Sequence, residues 1–74
     1  MEERIINILK KVLETEDITP LTSQDNCENW DSLRHLSIVV GIETAFGVTL
    51  EPEEIAEMRS VKDIGDILRQ KNVK

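Results

Sequence analysis

Ile5, Leu9, Val12 and Leu13, joined by Ile8, recur at the three- and four-residue spacing of one helical face, with Glu3, Lys10, Lys11 and Glu14 between them. This spacing predicts a first helix over residues 2–15. The periodicity then lapses over residues 16–30, EDITPLTSQDNCENW, where Pro20 and several Ser, Thr, Asn and Asp residues signal a loop. Connections longer than about 12–15 residues are uncommon in compact domains, and they are often functional or pinned by apolar residues of their own. Ile18, Leu21 and Trp30 are the candidate pins.

A second helix should start at Asp31 or Ser32, either of which can cap it, and run through LRHLSIVVGIETAF until Gly47 ends it. Its apolar positions, Leu36, Ile38, Val39, Val40, Ile42 and Phe46, form a band too wide for one face of an ordinary surface helix. The helix is therefore central, or it leaves apolar side chains facing a groove. Leu36 and Val40 fit either reading: core residues, or the lining of a groove toward the next helix. Pro52 then opens a short acidic helix with Glu53, Glu54, Ile55 and Met58. A last helix opens at Ser60, with Asp63 three residues on as a weaker form of the capping box, and buries Val61, Ile64, Ile67 and Leu68. The expected fold is all-α: three main helices and a short third one, with a long loop between helices one and two.

Length changes this picture little. A chain of 74 residues can bury one modest core and has no room for a deep catalytic cleft, so one domain over residues 1–74 is expected. Charge changes it more. Residues 16–57 hold ten acids and one base, Arg34, a balance of −9, while the two ends together hold five acids and eight bases, or +3. An acidic middle disfavours nucleic acid and anionic membranes and steers the protein toward basic protein surfaces. One cysteine, Cys27, allows no internal disulfide, and no stretch has the length or apolarity of a signal peptide or membrane span. A cytosolic monomer is the expectation.

Ser32 lies where the polar loop meets the first turn of the second helix. A phosphate attached there would meet unpaired backbone N–H groups and the positive end of the helix dipole. On local evidence alone, Asp31-Ser32-Leu33 reads as a helix cap, which a Ser at a helix start usually is. A hydrolase built on Ser32 and His35 lacks an orienting third group and nucleophile-elbow glycines. A metal site on Cys27, Asp31 and His35 matches no ligand spacing. His35 is instead expected to be solvated or to face a partner.

Trp30-Asp31-Ser32-Leu33, then Leu36, Ile42-Glu43, Phe46-Gly47-Val48 and Val61-Lys62-Asp63-Ile64 together resemble the acyl carrier protein family over nearly the whole chain. The resemblance implies a four-helix bundle of the acyl-carrier type. It also implies that Ser32 receives 4′-phosphopantetheine from coenzyme A through a magnesium-dependent phosphopantetheinyl transferase, and that the protein catalyses nothing itself. By the same resemblance Asp31 helps the transferase engage and Leu33 is read by partners. Arg34, Leu36, Val40, Glu43, Glu53 and Glu54 complete the expected recognition surface for acyl-loading, acyl-transfer or condensing enzymes.

Many fatty-acid carriers place acids along helix two just after the serine, where this chain has Arg34, His35 and Ser37, and only Glu43 keeps the acidic pattern. Arg34 would repel a basic docking patch, which points away from housekeeping fatty-acid synthesis. Carriers with Trp-Asp-Ser-Leu resemble those of specialised acyl, polyketide or cell-surface modification clusters. The alternative is a helical interaction module that keeps the carrier fold but is not modified.

Overall fold

A computed structural model describes residues 2–71. Its elements are α1 (Glu2–Leu13), a short 3-10 turn (Gln24–Asn26), α2 (Ser32–Phe46), α3 (Pro52–Glu57) and α4 (Val61–Gln70). Ile5, Leu9 and Leu13 of α1 are fully buried, and α1 packs against both α2 and α4. Ile38 and Ile42 of α2 and Ile64 and Leu68 of α4 complete the centre, with Leu50 and Met58 beside α3. The expected all-α bundle is what forms. Among the described residues no helix is long and apolar enough to cross a membrane.

Two arginines clasp α1 and α2 at opposite ends. Arg4, in the first turn of α1, donates to the Ala45 carbonyl at 2.7 Å and lies 4.3 Å over the Phe46 ring, at the C-terminal end of α2. Arg34, in the first turn of α2, donates to the Val12 carbonyl at 3.3 Å, at the C-terminal end of α1. The two helices are thus antiparallel, and each guanidinium meets carbonyls that a helix end leaves unpaired, where the dipole favours a cation. Midway, a Cβ on Gly41 would stand 3.0 Å from Ile8 Cγ2, so the glycine lets the helices approach.

Helix α1 stops two residues before the sequence pattern suggests. Glu14 adopts the left-handed conformation, φ 54°, and Thr15 N–H bonds the Lys10 carbonyl at 3.2 Å. Such a helix end is usually a glycine, because a side chain there is strained. Glu14→Gly is therefore expected to stabilise the protein by about 0.5–1 kcal/mol in urea unfolding, and a lower midpoint would contradict it.

The long loop is not structureless. Ile18 and Trp30 are buried in the core as expected, but Leu21 is 84% exposed and pins nothing. Backbone pairing takes its place: Gln24 N–H bonds the Arg59 carbonyl at 2.8 Å, and Val61 N–H bonds the Thr22 carbonyl at 3.0 Å. The loop thereby runs antiparallel to the α3–α4 connection for one bridge, Ser23 to Ser60. Asn29 Nδ2 adds a bond to the Leu13 carbonyl at 2.9 Å. The residues before Ser32 are consequently held to the C-terminal end of α1 and the N-terminal end of α4 rather than left loose.

Candidate functional site around Ser32

Which residue caps α2 decides what Ser32 is free to do. Asp31 is extended, φ −94° and ψ −178°, and its Oδ1 accepts the Arg34 N–H at 2.8 Å. The cap is thus the aspartate. Ser32 is the first helical residue, exposed, with its hydroxyl not needed to close the helix. The ladder starts at His35 N–H, bonded to the Asp31 carbonyl at 2.9 Å, which leaves the N–H groups of Ser32 and Leu33 outside it. A phosphate diester on Ser32 Oγ would sit beside those two donors and the positive helix end, in solvent, with no side chain to displace. Ser32 therefore fits the group the sequence implies.

His35, one turn on, is not solvated. Its Nδ1 accepts the Trp30 indole N–H at 3.0 Å, and its Nε2 donates to the Ile55 carbonyl of α3 at 2.8 Å. Those partners fix the neutral tautomer with the proton on Nε2. Gln24 Nε2 lies 3.5 Å from Nδ1 on the loop side. The imidazole thus ties loop, α2 and α3 together immediately behind Ser32, and neither nitrogen is available to deprotonate a serine or bind a metal. Nothing in the local sequence foretells this; position alone gave a hint, since His35 falls with Ile38, Val39 and Ile42 on the core side of a helical wheel.

The expected recognition residues divide into two groups. Leu33, Leu36 and Val40 are 77%, 58% and 60% exposed, so the last two are not core residues. They follow Ser32 along one side of α2, with the exposed Ser37 among them. Arg34 turns the other way, onto Val12 and to 4.0 Å from Glu14 Oε2. Glu43 also serves the fold: its Oε2 accepts the Leu50 N–H at 2.9 Å, and its carbonyl accepts from Gly47 and Val48 as α2 ends at the left-handed Gly47. Glu53 is exposed on α3, away from these bonds.

Glu54 is half-buried. Its Oε1 accepts the Glu51 N–H at 2.8 Å and pairs with Lys71 Nζ at 2.9 Å, and these two interactions hold its pKa below the ordinary carboxylate value of 4.5. A folded-state value below the unfolded one contributes stability that is complete above 4.5 and lost as pH falls through the folded value. Glu54→Gln should therefore flatten the acid limb of a stability-against-pH curve below that point. Identical limbs for the two proteins would contradict this assignment.

Residues 3–68 match the family model described as a phosphopantetheine attachment site. The chain is 32% identical to an acyl carrier protein of Syntrophus aciditrophicus, over 99% of this chain and 94% of that one. It is also 32% identical to an acyl carrier protein of Coprothermobacter proteolyticus, over 89% and 83% respectively. A chloroplastic acyl carrier protein of Casuarina glauca is 30% identical over 92% of this chain and 52% of its own length.

Proposed function

The chain belongs to the acyl carrier protein family, whose prosthetic group is covalently attached phosphopantetheine, and from that premise we propose that Ser32 bears the arm here. The observation that carries this is the division of labour at the start of α2: Asp31 closes the helix, and the exposed Ser32 hydroxyl is left to react. The arm supplies a thiol that forms thioesters with acyl groups. The protein's residues supply placement. Trp30 and His35 fix the loop and α2 behind the serine, the first-turn N–H groups favour the phosphate, and the open surface gives the arm free reach to partner active sites.

We assign the protein, acting as a single carrier domain and a monomer in the cytosol, to a dedicated acyl, polyketide or cell-surface modification pathway. Its partners there are a phosphopantetheinyl transferase and acyl-loading, acyl-transfer or condensing enzymes. With Arg34 turned onto α1, repulsion of a basic patch no longer supports this reading. What supports it is the lack of any acidic side chain from Ser32 to Ile42, so that a basic docking patch finds no counter-charge along the first three turns of α2. Incubation with coenzyme A, magnesium and a broad-specificity transferase should add the mass of one phosphopantetheine per chain. A wild-type protein that gains no mass would favour the unmodified interaction module.

A further inference from the structure

Helix α3 has little of its own to hold it in place. It is six residues long, too short to persist alone, and it buries no side chain completely, although Ile55 packs partly against the core. Polar bonds from other elements fasten it instead. From α2, His35 Nε2 donates to the Ile55 carbonyl at 2.8 Å, and Glu43 Oε2 accepts the Leu50 N–H at 2.9 Å just before α3 begins. From the end of α4, Lys71 Nζ pairs with Glu54 Oε1 at 2.9 Å.

The two bonds from α2 decide what lies between α2 and α3. A groove there would need apolar side chains along that line of α2, but His35 and Glu43 occupy it with hydrogen-bonding groups, while Leu36 and Val40 are exposed. Ile38, Ile42, Leu50 and Met58 lie buried in the core. His35 is the tie nearer to Ser32, one turn along α2, and the Trp30 indole N–H holds its ring from the loop side at 3.0 Å. A chain passing from Ser32 to that core between α2 and α3 would have to break the bond to Ile55, which leaves an imidazole N–H and a carbonyl without partners. Toward α1 the way is closed by Arg34 on the Val12 carbonyl and by the approach of Gly41 to Ile8. We infer that His35 is a specificity-determining residue: its bond to Ile55 keeps the α2–α3 seam shut, so the acyl group on the arm stays outside the core. The cargo is then of a class that tolerates water, short or bearing polar groups, because a long alkyl chain held outside forfeits the burial that favours it. This rests on Ser32 bearing the arm.

The test compares protein loaded by a broad-specificity transferase from acetyl-coenzyme A with protein loaded from octanoyl-coenzyme A, using NMR of the backbone amides. In the wild type, the amides of the buried Ile38, Ile42 and Met58 should resonate at the same positions with either group. In His35→Ala the octanoyl group should move all three. It should also raise the urea midpoint of that variant above its acetyl form by at least about 1 M, since the opened seam lets the folded state alone bury the chain. His35→Leu, which keeps more of the volume but makes neither bond, gives the same comparison should the alanine variant fail to fold. Octanoyl-dependent shifts at Ile38, Ile42 and Met58 in the wild type overturn the inference while leaving Ser32 as the modified residue. Unmoved amides in the variants overturn it too, because something other than His35 would then close the seam. A wild type that gains no acyl-phosphopantetheine mass overturns the Ser32 assignment and this inference together, so the failures are distinct.

Discussion

Ser32→Ala is expected to abolish phosphopantetheine incorporation completely while leaving the fold and its stability unchanged to within about 0.5 kcal/mol. The first half follows from the loss of the one hydroxyl placed at the start of α2. The second is the less obvious half, since a serine at a helix start is usually a cap, whose loss costs about 1 kcal/mol. Here the cap is Asp31, through its 2.8 Å bond from Arg34 N–H, and an alanine at the first helical position removes no hydrogen bond that closes the helix. Asp31→Ala should give the reverse signature, a fall of about 1 kcal/mol in urea unfolding with the acceptor hydroxyl still in place. If Ser32→Ala lost stability as a cap mutant does, the assignment of roles to these two neighbours would be wrong.

Trp30→Ala should be the most destabilising single change in the loop, by about 3–5 kcal/mol. A chain of 74 residues has a total stability of roughly 4–11 kcal/mol, so the variant would be largely unfolded or close to it. Trp30 is only 4% exposed, and its indole N–H holds His35 in the tautomer that bonds Ile55 on α3. Removing it opens a cavity and leaves His35 Nδ1 with only Gln24 Nε2, at 3.5 Å, as a donor. Trp30→Phe separates the two effects: most of the volume stays, and the loss should fall to about 1–2 kcal/mol for the acceptor left with the long Gln24 contact. Urea unfolding followed by far-UV circular dichroism reads both. A Trp30→Ala protein within about 1 kcal/mol of wild type would mean that the loop is held by its backbone pairing to the α3–α4 connection alone.

The parts of this molecule that were legible in its sequence are those set by local periodicity and by glycine. The helical spacing of Ile5, Leu9 and Leu13 and the stop at Gly47 are read from neighbours three or four residues apart, and the structure keeps them. The end of α1 was not legible, because a glutamate in the left-handed conformation is imposed by packing rather than preferred by the residue. Asp31 and Ser32 are equally good caps one residue apart, so only the bond from Arg34 N–H to Asp31 tells them apart. The contact of Arg34 with α1 and the exposure of Leu21 are illegible for a related reason. Residue type says that an arginine can meet a partner and that a leucine can be buried, but the wheel position of Arg34 toward α1, and the backbone pairing of Thr22 that makes an anchor at Leu21 unnecessary, depend on contacts across the fold.

The central claim is that Ser32, and no other hydroxyl, bears the arm. Fragmentation mass spectrometry of wild-type protein treated with coenzyme A and transferase tests it most directly, because Ser23, Ser37 and Ser60 provide internal controls within one chain. The expected result is one phosphopantetheine per chain, located on Ser32 alone. Modification at Ser37 or another residue, or a chain left unmodified under conditions that load a known carrier, would contradict it.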